Sequence, residues 1–393
     1  MINEEMKMAS LLQEAPGLYG NVRIEEEIIQ WIWKEKLLLL DDLRTECGKK
    51  LILQKPGHWN RAEEGPDFRE SSLCIDGMEQ QGDVEVHFHA RDWKAHGHHR
   101  DPAYKQVILH VLLFPSRNPA YTRSGTGNPI PHLVLLPYLL QGIEEYAEEW
   151  AIRKLSGEDP ISSSHEKPKH LSDQCIELSK KRWAGKINFA QNRIARNSWS
   201  EACHQWFLEV LGFPRNQANM HRLALRYPLK HWREGIDVEK VYAQIAGWKT
   251  KGMRPANFPI LRLRQYAEFA QLRPDWPELL ATCDFSSLIP VEEGSRKALG
   301  LTKRSQDWRL DFLGSVFGAK RSNTLLVDCC LPLWSAKNNR DGFALWHHWP
   351  AGDFPQKFFD LASKWGLWEK GKGVSNGDLQ AILMHFLLDE QSE

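Results

Sequence analysis

The sequence predicts an α/β domain followed by a mostly α-helical one, and three observations carry that reading. Between residues 49 and 137, short β-like runs alternate with turn-forming residues, whereas after residue 175 nearly every apolar run has helical period. The stretch SGEDPISSSHEKPKHLSDQ, 156–174, loses apolar periodicity and gains serine, proline and charge. A chain of 393 residues is long enough to bury a core in each of two domains. The domains are therefore expected at 1–155 and 175–393, with a linker at 156–174.

The elements follow in order. RIEEEIIQWIWKEKLLLL, from Arg23 to Leu40, opens with three glutamates suited to a positive helix N-terminus and turns strongly apolar, which predicts an amphipathic helix. KKLILQK at 49–55, FRESSLCID at 68–76 and DVEVHFH at 83–89 predict strands, the last two joined by a hairpin connection over Gly77–Gly82. QVILHVLLF at 106–114 is nearly continuous in apolar residues and predicts a buried strand. HLVLLP at 132–137 predicts another, before a helix in LLQGIEEYAEEWAIRKL. Beyond the linker, RWAGKINFAQNRIARN, SWSEACHQWFLEVLGF, MHRLALRYPLKHWR, VEKVYAQIAGWK and PILRLRQYAEFAQLR predict helices, broken at GFPRN and GMRPANFP.

Composition bounds the setting. Lysine plus arginine equals aspartate plus glutamate at 51 each, so a nucleic-acid partner needs a local basic patch, not a whole-protein field. The seven cysteines are scattered, odd in number and without a CxxC pair, against both a disulfide framework and a zinc ribbon. The N-terminal residues lack the basic-then-apolar order of a secretory signal, and no apolar run approaches the roughly 18 residues that cross a bilayer. A cytoplasmic protein without a membrane partner is expected.

DVEVHFH is the most informative strand. Period two puts Asp83, Glu85, His87 and His89 on one face and Val84, Val86 and Phe88 on the other, with Glu85 and His87 roughly 6 to 7 Å apart at Cα. Asp67, just ahead of the preceding strand, reaches Glu85 if the two strands pair. Converging carboxylates repel unless a proton or cation resolves the conflict, and oxygen ligands of this kind suit Mg²⁺ or Mn²⁺. An adjacent imidazole adds a nitrogen ligand or a general base. Metal-assisted hydrolysis of a phosphodiester is the reaction this inventory fits, with Asp67 and Glu85 as metal ligands, His87 as the third catalytic group and a nucleic acid as substrate.

Six of the 16 histidines fall between His87 and His110. In DWKAHGHHRDPAY, the HxHH spacing can feed a metal, zinc being the second candidate, while its glycine, proline and aspartate are also what a strand-to-helix loop needs. His89, Asp92, His96, His98 and Tyr104 are expected to line the site and touch substrate. His110, alone in an apolar strand, reads as a hydrogen-bonded core residue. Arg254 in GMRPANFP and the Lys303–Arg304–Ser305 run read as a proline-held helix start and an exposed charge cluster. The 17 tryptophans read as core anchors, Trp59 and Trp93 beside the acidic motifs being the exceptions.

GPDF followed by GDVEVH resembles the PD-(D/E)XK motif of restriction-endonuclease-like nucleases, with Pro66-Asp67 as the first half and Glu85-Val86-His87 as the second. The resemblance implies an N-terminal αβββαβ core, Asp67 and Glu85 on a metal, and Glu26 as the acid of the first helix. His87 stands where the lysine is usual. Histidine has no permanent positive charge at pH 7, so the role there becomes base or ligand. Over nearly the whole chain, GPDF, GDVEVH, RDWKAHGHHRDPAY, VILHV, GMRPANFPILRL and NTLLVDCCLPL resemble the bacterial family known as domain of unknown function 2851. The alternatives are a non-catalytic nucleic-acid or protein-binding module on a degenerate nuclease fold, and a zinc-dependent hydrolase that needs at least three histidines to converge.

Overall fold

The computed structural model describes residues 12–387 apart from 18–19, 62–63, 117–120, 141, 157–170, 214, 252, 286–298 and 369–372. The chain divides into two compact units, one mainly over Asn21–Trp150 and the other mainly over Ala151–Glu393. Of the expected linker, 157–170 lies outside the described residues.

In the first unit, β1 (Leu12–Gly17) and β2 (Gly20–Glu25) form a two-stranded sheet that leads into helix α1 (Glu26–Lys34). Glu26 and Glu27 occupy the positive end of α1, and Ile28, Ile29, Trp31, Ile32 and Trp33 are buried. The helix is shorter than the expected 23–40. Lys36 takes a left-handed φ of 54°, Leu37 N donates to Ile32 O and Lys36 N donates to Trp33 O. Those paired bonds close the last turn, so the apolar run Leu37–Leu40 leaves the helix.

The main sheet has seven strands: β3 (Leu51–Lys55), β4 (His58–Trp59), β5 (Phe68–Ile75), β6 (Met78–His87), β7 (Val107–Leu112), β8 (Tyr121–Arg123) and β9 (Pro129–Val134). Their order is β3-β5-β6-β7-β9-β8, with β4 beside β5. β3, β5 and β6 pair antiparallel, β7 and β9 join parallel, and β8 pairs antiparallel with β9. The crossover from β6 to β7 holds helix α2 (Asp92–Ala95) and a 3₁₀ turn over Pro102–Gln106. This is a mixed sheet in which helix, three antiparallel strands, crossover and parallel strand follow in the expected order.

One turn differs from expectation. The β5–β6 connection is not Gly77–Gly82 but the two residues Asp76 and Gly77, both at positive φ, 52° and 81°, so residues 78–82 are already strand. An Asp-Gly pair at positive φ matches the twist of the flanking strands. Gly82 permits a close approach: a Cβ there would meet Gln106 O and Ile108 Cγ2 at 2.6 Å each. It lets β7 enter beside β6 and aligns His110 with Glu85.

The second unit is built of helices over its described residues, among them Leu171–Arg196, Trp199–Gly212, Pro259–Leu272 and Asn376–Leu387. Its core is aromatic. Phe207 lies 5.2 Å from Phe269 and 5.1 Å from Trp276 between ring centroids, and Trp232, Trp334, Trp346 and Trp365 are buried as the core reading expects. A π-helical turn over Leu326–Cys330 interrupts the helical run of NTLLVDCCLPL. Arg254 heads a 3₁₀ turn whose Pro255 fixes it, and Lys303 is exposed on a helix. All seven cysteines are free, and among the described residues no helix is long and apolar enough to cross a membrane.

Gly82→Ala is expected to force β6 and β7 apart. Hydrogen exchange of the β6 and β7 amides should show their opening free energy reduced by about 1–3 kcal/mol; an unchanged exchange rate would mean the close approach is not a constraint.

Candidate metal centre

Pairing of β5 with β6 sets Phe68 opposite Val84, which brings Asp67, just ahead of β5, against the end of β6. There the two acids interlock through the backbone. Asp67 N donates to Glu85 Oε2 at 3.0 Å, and Val86 N donates to Asp67 Oδ2 at 2.9 Å. The other Asp67 oxygen accepts from Gln30 Nε2 at 2.8 Å, and Gln30 is itself oriented by Trp59 Nε1, which donates to its Oε1 at 3.0 Å. Trp59 thus supports the acidic site from behind, stacked on Phe68 and with the Arg61 guanidinium 4.6 Å from its ring.

Glu26 sits one turn before Gln30 on α1 and is buried. Burial raises its carboxyl well above the usual range, and the charges of Asp67, Glu85 and Asp92 push in the same direction. Burial likewise raises Asp67, helped by the charge of Glu85 and opposed by the Val86 and Gln30 bonds. Although Asp67 is half-buried as a residue, both its carboxylate oxygens are engaged. Burial pushes Glu85 up to about 8, against the pull of the Asp67 N–H. The three acids singled out from sequence therefore share one low-dielectric space, where full ionisation needs a neutralising cation.

The imidazoles meet the acids at Glu85. Its Oε1 lies 3.1 Å from His98 Nε2 and 3.5 Å from His87 Nε2, and His87 Nε2 lies 3.0 Å from His96 Nδ1. One nitrogen from each of His87, His96 and His98 falls within 4.8 Å of the others, a spacing that suits three ligands of a single ion. Water is largely excluded from Glu85 and His87, which are 4% and 1% exposed. The loop that carries His96 and His98 covers it.

That loop is built as loop chemistry requires. Asp92 Oδ2 accepts from His89 N at 2.8 Å, and Asp101 Oδ1 accepts from Ala103 N at 2.8 Å to start the 3₁₀ turn. Trp93 and Tyr104 are buried with Val107 and Ile130, and Tyr104 stacks on His98 with ring centroids 3.9 Å apart. Of the residues expected to touch substrate, His96 and His98 join the cluster, while Tyr104 packs behind it; Trp93, singled out as an exception among the core tryptophans, is a buried core residue beside Tyr104. His89 is half-buried against Phe114, and Asp92 holds the turn.

His110 is buried and bonded at both nitrogens, to His87 Nδ1 and Thr122 Oγ1 at 2.8 Å each, as its core reading expects. Gln30, Glu46, Thr122 and His132 were not legible as part of the site. Gln30 lay one helical turn beyond Glu26, and His132 was a second imidazole inside an apolar strand; both were usable signals. Glu46 and Thr122 belong to no motif.

Residues 26–244, more than half of the chain, match the family described as protein of unknown function, DUF2851. No curated protein and no solved structure matches the chain.

Competition with a chromophoric chelator should show one Zn²⁺ or Mn²⁺ bound per chain. His96→Ala is expected to lower that affinity by at least about tenfold, comparable to disturbing a metal's ligand environment, while Lys94→Ala on the exposed side of α2 leaves it unchanged. Equal affinity in wild type and His96→Ala would show that the imidazoles do not hold the ion.

Proposed function

The chain belongs to the DUF2851 family, and within it we propose that the protein is a divalent-metal-dependent hydrolase of nucleic-acid phosphodiesters, built on a restriction-endonuclease-like core. The observation that carries this reading is the position of Glu85, whose Oε1 lies 3.1 Å from His98 Nε2 and 3.5 Å from His87 Nε2 while Oε2 is held by Asp67 N. One carboxylate joins an acidic group to an imidazole group. The order of helix, three antiparallel strands, crossover and parallel strand supports the core assignment, because it gathers Glu26, Asp67 and Glu85 as a PD-(D/E)XK nuclease would.

The donor set shifts the expected roles. His87, His96 and His98 would hold the metal with Glu85 beside them, and three imidazoles with a carboxylate suit Mn²⁺ or Zn²⁺ better than oxygen-preferring Mg²⁺. The ion, when bound, supplies Lewis-acid polarisation of a phosphoryl oxygen. Burial pushes Glu85 up to about 8; a neighbouring cation would lower it and favour the carboxylate, the form able to take a proton from the attacking water. Asp67 keeps Glu85 aimed through its own backbone N–H and shares the acidic space with Glu26.

A polyanionic substrate needs local positive charge in a chain with none overall. Support for such a patch comes from the segment 91–105, where Arg91, Lys94, Arg100 and Lys105 are exposed and outnumber the acids Asp92 and Asp101 on the stretch that carries His96 and His98. Half-buried His96, His89 and Asp92 mark the side from which solvent and substrate reach the cluster.

The test is cleavage of end-labelled single- and double-stranded DNA and RNA by the full chain with Mn²⁺, Zn²⁺ or Mg²⁺. Cleavage should be stimulated by Mn²⁺ or Zn²⁺, and Glu85→Gln should reduce it by at least about 100-fold, the usual worth of a general base. Metal binding without cleavage of any of these substrates, or full activity in Glu85→Gln, would overturn the reading; the first result would favour a non-catalytic binding module.

A further inference from the structure

A row of hydrogen bonds leaves His87 on the side opposite the site and crosses the sheet. His87 is on β6, His110 on β7, His132 on β9 and Thr122 on β8; the parallel register sets Glu85 against His110 and His110 against His132. The side chains join in sequence. His87 Nδ1 lies 2.8 Å from His110 Nε2, His110 Nδ1 2.8 Å from Thr122 Oγ1, and Thr122 Oγ1 2.7 Å from His132 Nε2. His132 Nδ1 lies 3.1 Å from Glu46 Oε2. His87, His110, Thr122 and His132 are all buried, at 9% exposure or less.

Glu46 is fixed independently. Its own N–H donates to His132 O at 2.7 Å, and its carboxylate accepts from Ser116 N at 2.7 Å and Ser116 Oγ at 2.5 Å. A carboxylate already taking the Ser116 N–H and hydroxyl presents only acceptor oxygens to His132 Nδ1.

That end sets the direction of every bond. Burial holds His132, the ring that meets Glu46, below the usual imidazole range, so it carries one N–H, and His110, buried with its two nitrogens on an imidazole and a hydroxyl, has one donor and one acceptor to place. His132 must then spend its hydrogen at Nδ1, on Glu46, and accept at Nε2. Thr122 gives its single hydroxyl proton to His132 and accepts from His110 Nδ1–H. His110 accepts at Nε2 from His87 Nδ1–H. With Nδ1 committed as a donor, Nε2 is the one nitrogen of His87 that can offer a lone pair, and it is the atom that faces Glu85 Oε1 and His96 Nδ1. The reversed chain would put a His132 lone pair against the Glu46 carboxylate.

We propose that Glu46 is a positioning residue that, through His132, Thr122 and His110, fixes the tautomer of His87 so that its Nε2 lone pair points into the Glu85–His96–His98 cluster. No group changes its charge in this device. What the lone pair binds rests on the metal reading above; the tautomer itself does not.

Long-range ¹H–¹⁵N correlation spectra of the metal-free full chain read the tautomers directly. Wild type should show His87, His110 and His132 as Nδ1–H. Thr122→Val, which keeps the shape and removes the hydroxyl, should admit the Nε2–H form of His87 and lower Zn²⁺ affinity by about 10- to 100-fold, whereas Thr122→Ser keeps both at the wild-type value. Glu46→Ala, at the less buried end, should move His87 the same way. An Nε2–H His87 in wild type, or a wild-type His87 tautomer in both Thr122→Val and Glu46→Ala, would overturn the proposal. Wild-type protein that shows the Nδ1–H pattern yet binds no Zn²⁺ would support the relay and sink the hydrolase reading, so the two fail separately.

Discussion

The site depends on the clasp between Asp67 and Glu85. Each acid meets the other's strand through the backbone: Asp67 N holds Glu85 Oε2, and Val86 N holds Asp67 Oδ2. Two carboxylates are thereby kept side by side in a space where both are pushed towards their protonated forms. A buried arrangement of this kind adds little as a structural element by itself, because like charges out of water oppose folding. It is explained by something that the acids are there to meet, and the three imidazoles on the far side of Glu85 supply the other half of a ligand set.

The scaffold serves that clasp. The Asp76–Gly77 turn sets the β5–β6 register as far as Ser71 opposite Gly82, a bulge between Phe68 and Ser71 then shifts it to put Asp67 beside the end of β6, and Gly82 lets β7 lie close enough for His110 to stand next to His87. The switch from antiparallel to parallel pairing at β6–β7 requires a crossover, and that crossover is the segment that delivers His96 and His98. Trp93 and Tyr104 anchor it from below, so the histidines are carried by a packed loop. Beyond β7, Glu46 and His132 complete a row of bonds that the parallel register of β7 and β9, with His110 opposite His132, brings into line.

Much of this was legible in the chain, for identifiable reasons. Strict alternation in DVEVHFH put Glu85 and His87 on one face, and GPDF ahead of a strand put Asp67 within reach; both are local patterns that survive folding. Glu26 came only with the resemblance to PD-(D/E)XK nucleases, as the acid of the first helix. Other features were hidden. β4 and β8, two and three residues long, carry too little pattern to be seen. The end of α1 was masked by Leu37–Leu40, whose apolar character says nothing about the left-handed turn at Lys36. The division of labour between acids and imidazoles was hidden too, because it depends on where the 91–105 loop folds back, and the Glu46 relay joins residues as far as 86 positions apart.

The most direct test of the central claim is X-ray absorption at the zinc edge of the Zn²⁺-loaded full chain. The account predicts a first shell at about 2.0–2.1 Å with the multiple-scattering signature of three imidazoles and one additional light atom. A shell of oxygen atoms without imidazole scattering would place the ion on Glu26 and Asp67 instead, and would contradict the convergence on His87, His96 and His98 from which the whole account is built.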